Sequence, residues 1–333
     1  MRLEAESQSW PIRGGFRIAR GEKRAAEPVV ASIIGESAIG RGESVPYGRY
    51  GETLDSVLAQ IRSLADESAG PLDRDGLAHA MPHGAARAAV DCALWDYEAK
   101  TGQRSVADGL HALLGARPQG RTLQTCFTIS LADPDAMARA AAAASDRPLL
   151  KLKLGEAAGD FARVRAVRAA RPDARLVADA NEGWTLDDLH ALAAPLAGLG
   201  VALIEQPLPA DEDAALGGKD WPVLLCADES VHDRQSLHDL PAAYGAINIK
   251  IDKAGGLTEA ALLAAEARQR GLQLMVGCMV ATSLAMAPAA LLADAAEAEF
   301  VDLDGPLLLE KDRRNGIVYD GASMAPPSPE LWG

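Results

Sequence analysis

The chain has 333 residues, of which 48% are hydrophobic and 24% are charged, and its formal net charge is −14. A chain of this length can bury a large core in one or two domains. Its acidic balance argues against nucleic acid and against an anionic membrane surface as partners, because both repel a negatively charged protein over a long range.

Cysteine usage and the N-terminal segment indicate the compartment. Residues 1–10 contain no apolar stretch long enough for a secretory signal. No window approaches the roughly 18 uncharged apolar residues of a membrane-spanning helix, so we expect no membrane anchor. The four cysteines stand singly in apolar runs, which is typical of buried thiols in a reducing cytosol. We therefore expect a cytoplasmic protein.

The first part of the chain, residues 1–118, is predicted to be a small α+β unit. Strands are predicted at residues 16–20, 28–34 and 37–43, and helices at residues 53–68 and 83–101. A turn at Gly35 and Glu36 separates the last two strands. Such a unit would lie beside a larger domain formed by the rest of the chain.

From Thr122 onward, strand-like runs alternate with alanine-rich helical segments. The predicted strands end near Thr128, Lys153, Asp179, Glu205, Asp228, Lys250, Gly277 and Asp302. Eight alternating strands are the number that closes a (β/α)8 TIM barrel. We expect an α/β fold with a modified (β/α)7β barrel at residues 119–309. The final segment, residues 310–333, is expected to return to the first unit, which would act as a capping domain, instead of forming a standard eighth helix.

Three acids end consecutive predicted strands. Asp179, Glu205 and Asp228 are separated by 26 and 23 residues, which is about one strand plus one crossover helix. Their carboxylates would lie side by side at the C-terminal strand ends, where barrels of this kind build active sites. A single acid here is more often a helix cap or a solvated charge. The shared register of all three favours a site for a hard cation such as Mg²⁺, which prefers oxygen ligands.

Lysines continue the same register on both sides of the acids. Lys153 precedes Asp179 by 26 residues, and Lys250 follows Asp228 by 22. Lys151 shares a strand face with Lys153, because side chains alternate along a strand. Taken alone, Lys151 could be a solvated strand residue. A metal flanked by lysines at opposite ends of the strand array could support proton transfer on two faces of one substrate.

The order and spacing of these motifs resemble the signature series of the enolase superfamily, in its muconate-lactonizing-enzyme-like subgroup. The matching segments are Lys151-Leu-Lys153, Asp179-Ala-Asn181, Glu205-Gln-Pro207, Asp228-Glu-Ser230, and Asn248-Ile-Lys250 followed by Lys253-Ala-Gly-Gly256. The resemblance covers nearly the whole chain. It implies a Mg²⁺ ion held by the three acids, with Lys153 and Lys250 as the acid–base pair. It also implies that Lys151 and the metal lower the pKa of the acting base.

Asp302-Leu-Asp304 is similar to the Asp-x-Asp motif of dipeptide epimerases, in which the pair binds a free α-ammonium group. Two carboxylates at a strand end suit that cation. Two solvated turn aspartates before Gly305 are the alternative, which the rest of the barrel pattern disfavours. Four further segments, Arg17-Ile-Ala-Arg-Gly21, Pro46-Tyr-Gly-Arg-Tyr-Gly-Glu52, Asp91-Cys-Ala-Leu-Trp-Asp96 and Val276-Gly-Cys-Met279, look like counterparts of segments in the bacterial L-Ala-D/L-Glu epimerase family, which is the closest resemblance. It implies that Arg20 or Arg49 binds a side-chain carboxylate with its planar guanidinium. The remaining substrate-binding positions that it implies are Tyr50, Thr128, Asn181, Cys278 and Met279.

The expected function is Mg²⁺-dependent epimerisation of L-Ala-D-Glu and L-Ala-L-Glu at the second residue, by two-base proton transfer through an enediolate in murein peptide recycling. Another dipeptide specificity stays open. The chemistry of o-succinylbenzoate synthase or muconate cycloisomerase is an alternative, but neither substrate carries an ammonium group for Asp302 and Asp304. A Schiff-base aldolase would need one lysine and no metal, and a noncatalytic binding barrel would not need both lysines and a metal trio. A homo-oligomer is compatible with the sequence, although no pattern identifies an interface.

Overall fold

The computed structural model describes residues 1–67, 72–218 and 220–333. The N-terminal unit contains β1 (Arg2–Ser7), β2 (Trp10–Ile18), β3 (Gly21–Ala26), β4 (Val29–Ile34), β5 (Ile39–Ser44), α1 (Leu54–Glu67), α2 (Arg74–Ala80), α3 (Ala85–Lys100) and α4 (Val106–Leu114). β1, β4 and β5 form an antiparallel sheet, while β2 and β3 form a separate hairpin. The predicted α+β character is confirmed. β1 and β3 lie outside the predicted strands, and residue 68 of the first predicted helix lies outside the described residues.

Helix α3 forms the core of this unit and is buried on almost every side. Its small residues allow it to pack directly on β5, where Gly40 and Gly42 face it. A Cβ atom on Gly42 would lie 2.1 Å from the carbonyl oxygen of Ala89, a distance that no side chain tolerates. Glycine is therefore required for this close approach of helix and strand.

The second unit alternates strands and helices around one parallel sheet. After β6 (Leu123–Gln124), its strands are β7 (Phe127–Ile129), β8 (Leu149–Lys153), β9 (Arg175–Asp179), β10 (Val201–Glu205), β11 (Leu224–Ala227), β12 (Ala246–Lys250), β13 (Gln273–Gly277) and β14 (Phe300–Asp302). Its helices are α5 (Pro134–Ala143), α6 (Ala157–Ala170), α7 (Leu186–Gly198), α8 (Arg234–His238), α9 (Ile251–Ala254), α10 (Leu257–Gln269), α11 (Ser283–Ala295) and α12 (Gly305–Leu308).

The eight strands run in sequence order from β7 to β14, and a hydrogen bond of 2.7 Å from Cys126 N to Val301 O joins the two ends of the sheet. The predicted capped barrel is confirmed, and the strands end where the alternation predicts, with Asp228 one residue beyond β11. Inside the barrel, one apolar layer contains Cys126, Leu149, Val177, Leu203, Cys226, Ala246, Met275 and Phe300. This layer closes the barrel below its C-terminal mouth, so the polar strand ends above it face the capping unit.

The C-terminal segment contacts both units. β15 (Tyr319–Asp320) and β16 (Ser323–Met324) form a small antiparallel sheet with β6. Farther along, Trp332 Nε1 donates a hydrogen bond of 3.1 Å to the carbonyl oxygen of Cys92 in α3. The boundaries at residues 118 and 309 stay predictions. In the described part of the chain, no helix has the length and apolar character needed to cross a membrane.

A buried carboxylate joins the capping unit to the barrel. Asp252, 8% exposed, accepts a hydrogen bond of 2.7 Å from Val45 N, just before the capping loop at residues 46–52. Burial raises the pKa of Asp252 from 3.8 to about 6. Because the folded-state pKa lies above the unfolded one, the proton stabilises the folded protein below pH 4, and this contribution is lost as the pH rises to about 6.

Replacing Asp252 with asparagine should remove this pH dependence, because the amide oxygen can still accept from Val45 N but does not titrate. We expect the free energy of unfolding of the wild type, minus that of Asp252→Asn, to fall by about 2 kcal/mol between pH 4 and pH 6. Urea unfolding at each pH measures it. A difference that stays constant across this range would contradict the assignment.

Candidate active site

A cavity of about 960 Å³ lies between the barrel mouth and the loops of the capping unit. The predicted residues that line it are Arg20, Arg49, Tyr50, Thr128, Lys153, Asn181, Asp228, Lys250, Cys278, Met279, Asp302 and Asp304. Lys151, Asp179 and Glu205 lie beneath this surface and are at most 1% exposed. The fold therefore gathers all the sequence-predicted positions in or directly under one cavity.

The barrel places the lysines and acids by strand register. Lys153 is paired with Asp179, and Asp179 with Glu205, so these three residues end neighbouring strands at the same height. On the other side, Lys250 is level with Gly277 and Asp302. β8 and β12 are four positions apart in the eight-stranded sheet. The two lysines therefore approach the cavity from opposite sides of the barrel.

Lys151 lies at the centre of the acidic cluster. Its Nζ is 2.7 Å from Glu205 and from Asp302, and 3.1 Å from Asp179. Burial would lower the pKa of Lys151, but these carboxylates outweigh it and hold the pKa well above its usual range. The side chain is thus a buried, charge-compensated ammonium group and not a solvated strand residue.

Asp228 is held between two lysines. Its Oδ2 is 2.6 Å from Lys250 Nζ, and its Oδ1 is 2.5 Å from Lys253 Nζ. Burial acts to lower the pKa of Lys250, yet Asp228 raises it well above the usual value. For Lys253 the desolvation dominates and the pKa is lowered. Lys153 makes the equivalent contact on the other side, with its Nζ 2.6 Å from Asp179.

The acidic trio supplies the oxygen donors that a hard divalent cation prefers. Glu205 is fully buried, and burial, followed by the charge of the neighbouring Asp179, raises its pKa to about 8. Glu205 Oε2 lies 2.7 Å from Lys151 but lacks hydrogen-bond geometry. Among the described residues, no three Asp, Glu, His or Cys side chains are arranged as a metal site; lysine ammonium groups lie between the acids instead.

The backbone beyond these strand ends adopts a left-handed conformation. Asn181, Glu182 and Gln206 have φ values of 48°, 65° and 35°, a conformation that costs energy outside glycine and clusters at functional sites. Gln206 Oε1 accepts hydrogen bonds from Asp228 N at 2.9 Å and Ser230 N at 3.2 Å. Its Nε2 donates to Ser230 Oγ at 2.7 Å. This network fixes the loop that carries Asp228.

Asp302 and Asp304 form an acidic corner of the cavity. Asp302 Oδ2 pairs with Lys151 at 2.7 Å, whereas its Oδ1 is buried and has no hydrogen-bond partner. Asp304 Oδ2 accepts a hydrogen bond of 2.7 Å from Thr128 N. Burial, followed by the charge of Asp302, raises the pKa of Asp304 to about 7. A cation bound at this corner would be stabilised by both carboxylates.

The two candidate arginines reach from the capping unit to the barrel. Arg20 Nη1 donates to Glu182 Oε2 at 2.9 Å and to Asn181 O at 2.7 Å, while its Nη2 donates to Glu229 Oε1 at 2.5 Å and to Tyr47 at 2.9 Å. Arg49 makes a two-point contact with Glu182, at 2.7 Å from Nε and 2.7 Å from Nη2. Each arginine thus has a carboxylate partner on the barrel.

Sequence reasoning assigned no site role to three charged residues that the structure brings into this site. Glu229 and Glu182 are the partners of the arginines, and Lys253 lies in the short helix α9 with its side chain against Asp228. A signal existed for the two glutamates, because Glu182 directly follows the Asp179-Ala-Asn181 motif and Glu229 lies inside the Asp228-Glu-Ser230 motif. Tyr50, Cys278 and Met279 line the cavity as predicted positions, but their contact with substrate stays a prediction.

Known proteins share this architecture along the full chain. The model of the mandelate racemase / muconate lactonizing enzyme N-terminal domain matches residues 2–115, and the enolase C-terminal domain-like model matches residues 135–329. An L-Ala-D/L-Glu epimerase of Escherichia coli is 45% identical over 94% of this chain and 95% of its own. An N-acetyl-D-glutamate racemase of Pseudoalteromonas is 43% identical over 92% of this chain and 95% of its own.

A solved structure is also similar over almost all of both chains. It is an enolase family member from Agrobacterium tumefaciens with homology to dipeptide epimerases, bound to sodium and L-Ala-L-Glu, with a TM-score of 0.93, 50% identity and coverage of 99% of each chain. The capped barrel and its site, with relatives named epimerases and racemases, define an isomerase. The chain belongs to the mandelate racemase / muconate lactonizing enzyme family of the enolase superfamily.

Proposed function

We propose that the protein epimerises the dipeptides L-Ala-L-Glu and L-Ala-D-Glu at the second residue, as in murein peptide recycling. The observation that carries this proposal is the unpaired, buried Oδ1 of Asp302 beside Asp304 in the cavity wall. An α-ammonium group would supply the missing donor there. The relatives that act on or bind L-Ala-Glu dipeptides support the same substrate class.

The chain's own residues would orient the dipeptide between the two lysines. The acidic corner would hold the N-terminal ammonium group, and Arg20, which lines the same cavity, would hold the side-chain carboxylate. The α-carbon of the second residue would then lie between Lys153 and Lys250. One lysine would remove the α-proton to give an enediolate, and the other would deliver a proton to the opposite face.

Mg²⁺ fits this proposal as the cofactor, held by Asp179, Glu205 and Asp228. When bound, it would supply positive charge beside the substrate carboxylate and compete with the lysines for Asp179 and Asp228, which favours the neutral, basic form of lysine. The remaining work of positioning and proton transfer belongs to the protein side chains.

N-acyl glutamate racemisation is a second candidate function. It is favoured by the contact of Asp302 with Lys151, which already neutralises part of the acidic corner, and by the N-acetyl-D-glutamate racemase among the relatives. An N-acetyl group carries no charge, so such a substrate would leave Asp302 Oδ1 without a cationic partner. The two functions therefore differ in their need for the free ammonium group.

A substrate panel tests this choice. We expect kcat/KM for L-Ala-L-Glu to exceed that for N-acetyl-L-Ala-L-Glu by the equivalent of about 2 to 5 kcal/mol, the range for losing one partner of a buried charge-assisted pair. Asp302→Asn should cause a loss of similar size for the free dipeptide and little further loss for the acetylated one. Proton exchange followed by NMR in D2O measures each reaction.

The outcomes separate the candidates. Equal turnover of the free and acetylated dipeptides would exclude the ammonium-binding role of Asp302 and Asp304. Faster turnover of N-acetyl-D-glutamate than of either dipeptide would instead establish the racemase. Glu212→Gln, at an exposed acid outside the cavity, is the matched control and should leave all rates unchanged.

A further inference from the structure

Glu182 is a rigidly held carboxylate at the point where the capping unit meets the barrel mouth. Its N–H donates a hydrogen bond of 2.9 Å to Gln206 O, and its Oε1 accepts one of 3.0 Å from Ala210 N. Its side chain is only 8% exposed. Burial would raise its pKa, but Arg49 and the Ala210 N–H hold that pKa below the ordinary value. Glu182 is therefore a fixed negative charge and not a mobile surface acid.

Two arginines share this carboxylate. Arg49 binds both of its oxygens through Nε and Nη2, each at 2.7 Å, whereas Arg20 contacts only Oε2, at 2.9 Å. The two-point contact occupies the edge of Arg49 that a substrate carboxylate would otherwise use in the same way. Arg20 is shared instead between Glu182 and Glu229, with its side chain 27% exposed in the cavity wall.

The four charges of this arginine–glutamate cluster are balanced before a substrate arrives. Glu182 and Glu229 contribute two negative charges, and Arg20 and Arg49 contribute two positive charges. An acidic substrate side chain adds a third carboxylate next to Arg20, so it must compete with Glu182 and Glu229 for the same guanidinium. Like charges brought together at such a wall weaken binding.

We propose that Glu182 is a specificity-determining residue that competes with the acidic side chain of the substrate for Arg20, and that Arg49 acts by neutralising Glu182 instead of binding the substrate. This inference rests on the proposed dipeptide epimerase function. It divides the roles of the two arginines: Arg20 contacts the substrate, and Arg49 is a positioning residue that acts through Glu182.

The test compares L-Ala-L-Glu with L-Ala-L-Gln, which has the same shape but no side-chain charge. The measured quantity is the ratio of kcat/KM for the two dipeptides in the wild type, Glu182→Gln, Arg49→Gln and the double variant. We expect the ratio to rise on the order of tenfold in Glu182→Gln, which removes the competing charge, and to fall by a similar factor in Arg49→Gln. In the double variant it should stay within about threefold of the Glu182→Gln ratio, because Arg49 then has no Glu182 charge left to neutralise.

Each alternative gives a different pattern. A ratio that stays at the wild-type value in Glu182→Gln would overturn the role of Glu182 and leave it as a structural contact, which slows both substrates equally. A double variant with a ratio about tenfold below that of Glu182→Gln would show that Arg49 binds the substrate directly. Wild-type enzyme that turns over neither dipeptide would refute the proposed function itself, independently of these ratios.

A second variant distinguishes a folding defect from a change in charge recognition. Arg49→Lys keeps the positive charge but loses the two-point geometry, and we expect its ratio to remain within about threefold of the wild type. Thermal unfolding of every variant shows whether it is folded at the assay temperature. Since both rates of a ratio come from the same sample, partial inactivation cancels and only a change in charge recognition moves the result.

Discussion

Replacing either Lys153 or Lys250 with alanine should stop epimerisation and leave one-sided proton exchange. The two lysines enter the cavity from strands on opposite sides of the barrel, so each can reach only one face of the α-carbon. Loss of one positioned acid–base group should lower the epimerisation rate by about 10² to 10⁴-fold. The remaining lysine can still exchange the α-proton of the stereoisomer that faces it.

The structure indicates that both alanine variants should remain folded. Without Lys153, Asp179 still has Lys151 at 3.1 Å, and without Lys250, Asp228 still has Lys253 at 2.5 Å. Neither substitution leaves a buried carboxylate without a cation, so we expect the fold to survive. NMR in D2O, starting separately from L-Ala-L-Glu and L-Ala-D-Glu, measures exchange and inversion together.

The two variants should exchange opposite stereoisomers, which is the signature of two bases on two faces. Full epimerisation by either variant would exclude the two-base scheme, and so would exchange of the same stereoisomer by both. Lys311→Ala, at an exposed lysine outside the cavity, is the matched control and should retain wild-type rates for both dipeptides.

Replacing Glu205 with glutamine should abolish both cation binding and turnover. The substitution keeps the side-chain shape, and Oε1 can still accept the hydrogen bond of 2.8 Å from Asn248 Nδ2, but one ligand charge of the proposed Mg²⁺ site is lost. Stabilisation of developing negative charge accounts for a large share of such catalysis, so we expect kcat to fall by about 10² to 10³-fold or more.

Cation binding can be measured independently of activity, through its effect on the unfolding temperature. In the wild type, Mg²⁺ at about 100 times its dissociation constant should stabilise the fold by about 2.7 kcal/mol, which raises the unfolding temperature. In Glu205→Gln this increase should disappear at the same concentration. Glu212→Gln should behave as the wild type in both measurements. Normal turnover together with normal Mg²⁺-dependent stabilisation in Glu205→Gln would remove Glu205 from the metal site.

The barrel residues of the site could be predicted because their positions follow from local sequence patterns. Each of Lys153, Asp179, Glu205 and Lys250 is the last residue of its strand, and a repeat of one strand and one crossover helix brings successive strand ends to the same rim. The identity of the residues at those ends then indicates the chemistry, because carboxylates suit a hard cation and paired lysines suit proton transfer. Periodicity and residue type were sufficient for this half of the site.

The charge pairing inside the cavity could not be predicted from the sequence. Lys151 shares its strand face with Lys153, but only the packed barrel shows it buried among three acids instead of open to the mouth. Lys253 likewise becomes a partner of Asp228 only because α9 turns directly back over the end of β12. Such contacts depend on the third dimension of the barrel, which no repeat along the chain encodes.

The sequence by itself determined the capped barrel, its acidic trio and its lysines, since these follow from the alternation of strands and helices and from which residue ends each strand. Only the tertiary structure decided how the two arginines differ. Arg49 meets Glu182 across 133 positions of the chain, and Arg20 meets Glu229 across 209. These contacts arise where two separately patterned units pack together, and local periodicity carries no information about which side chains will meet across that boundary.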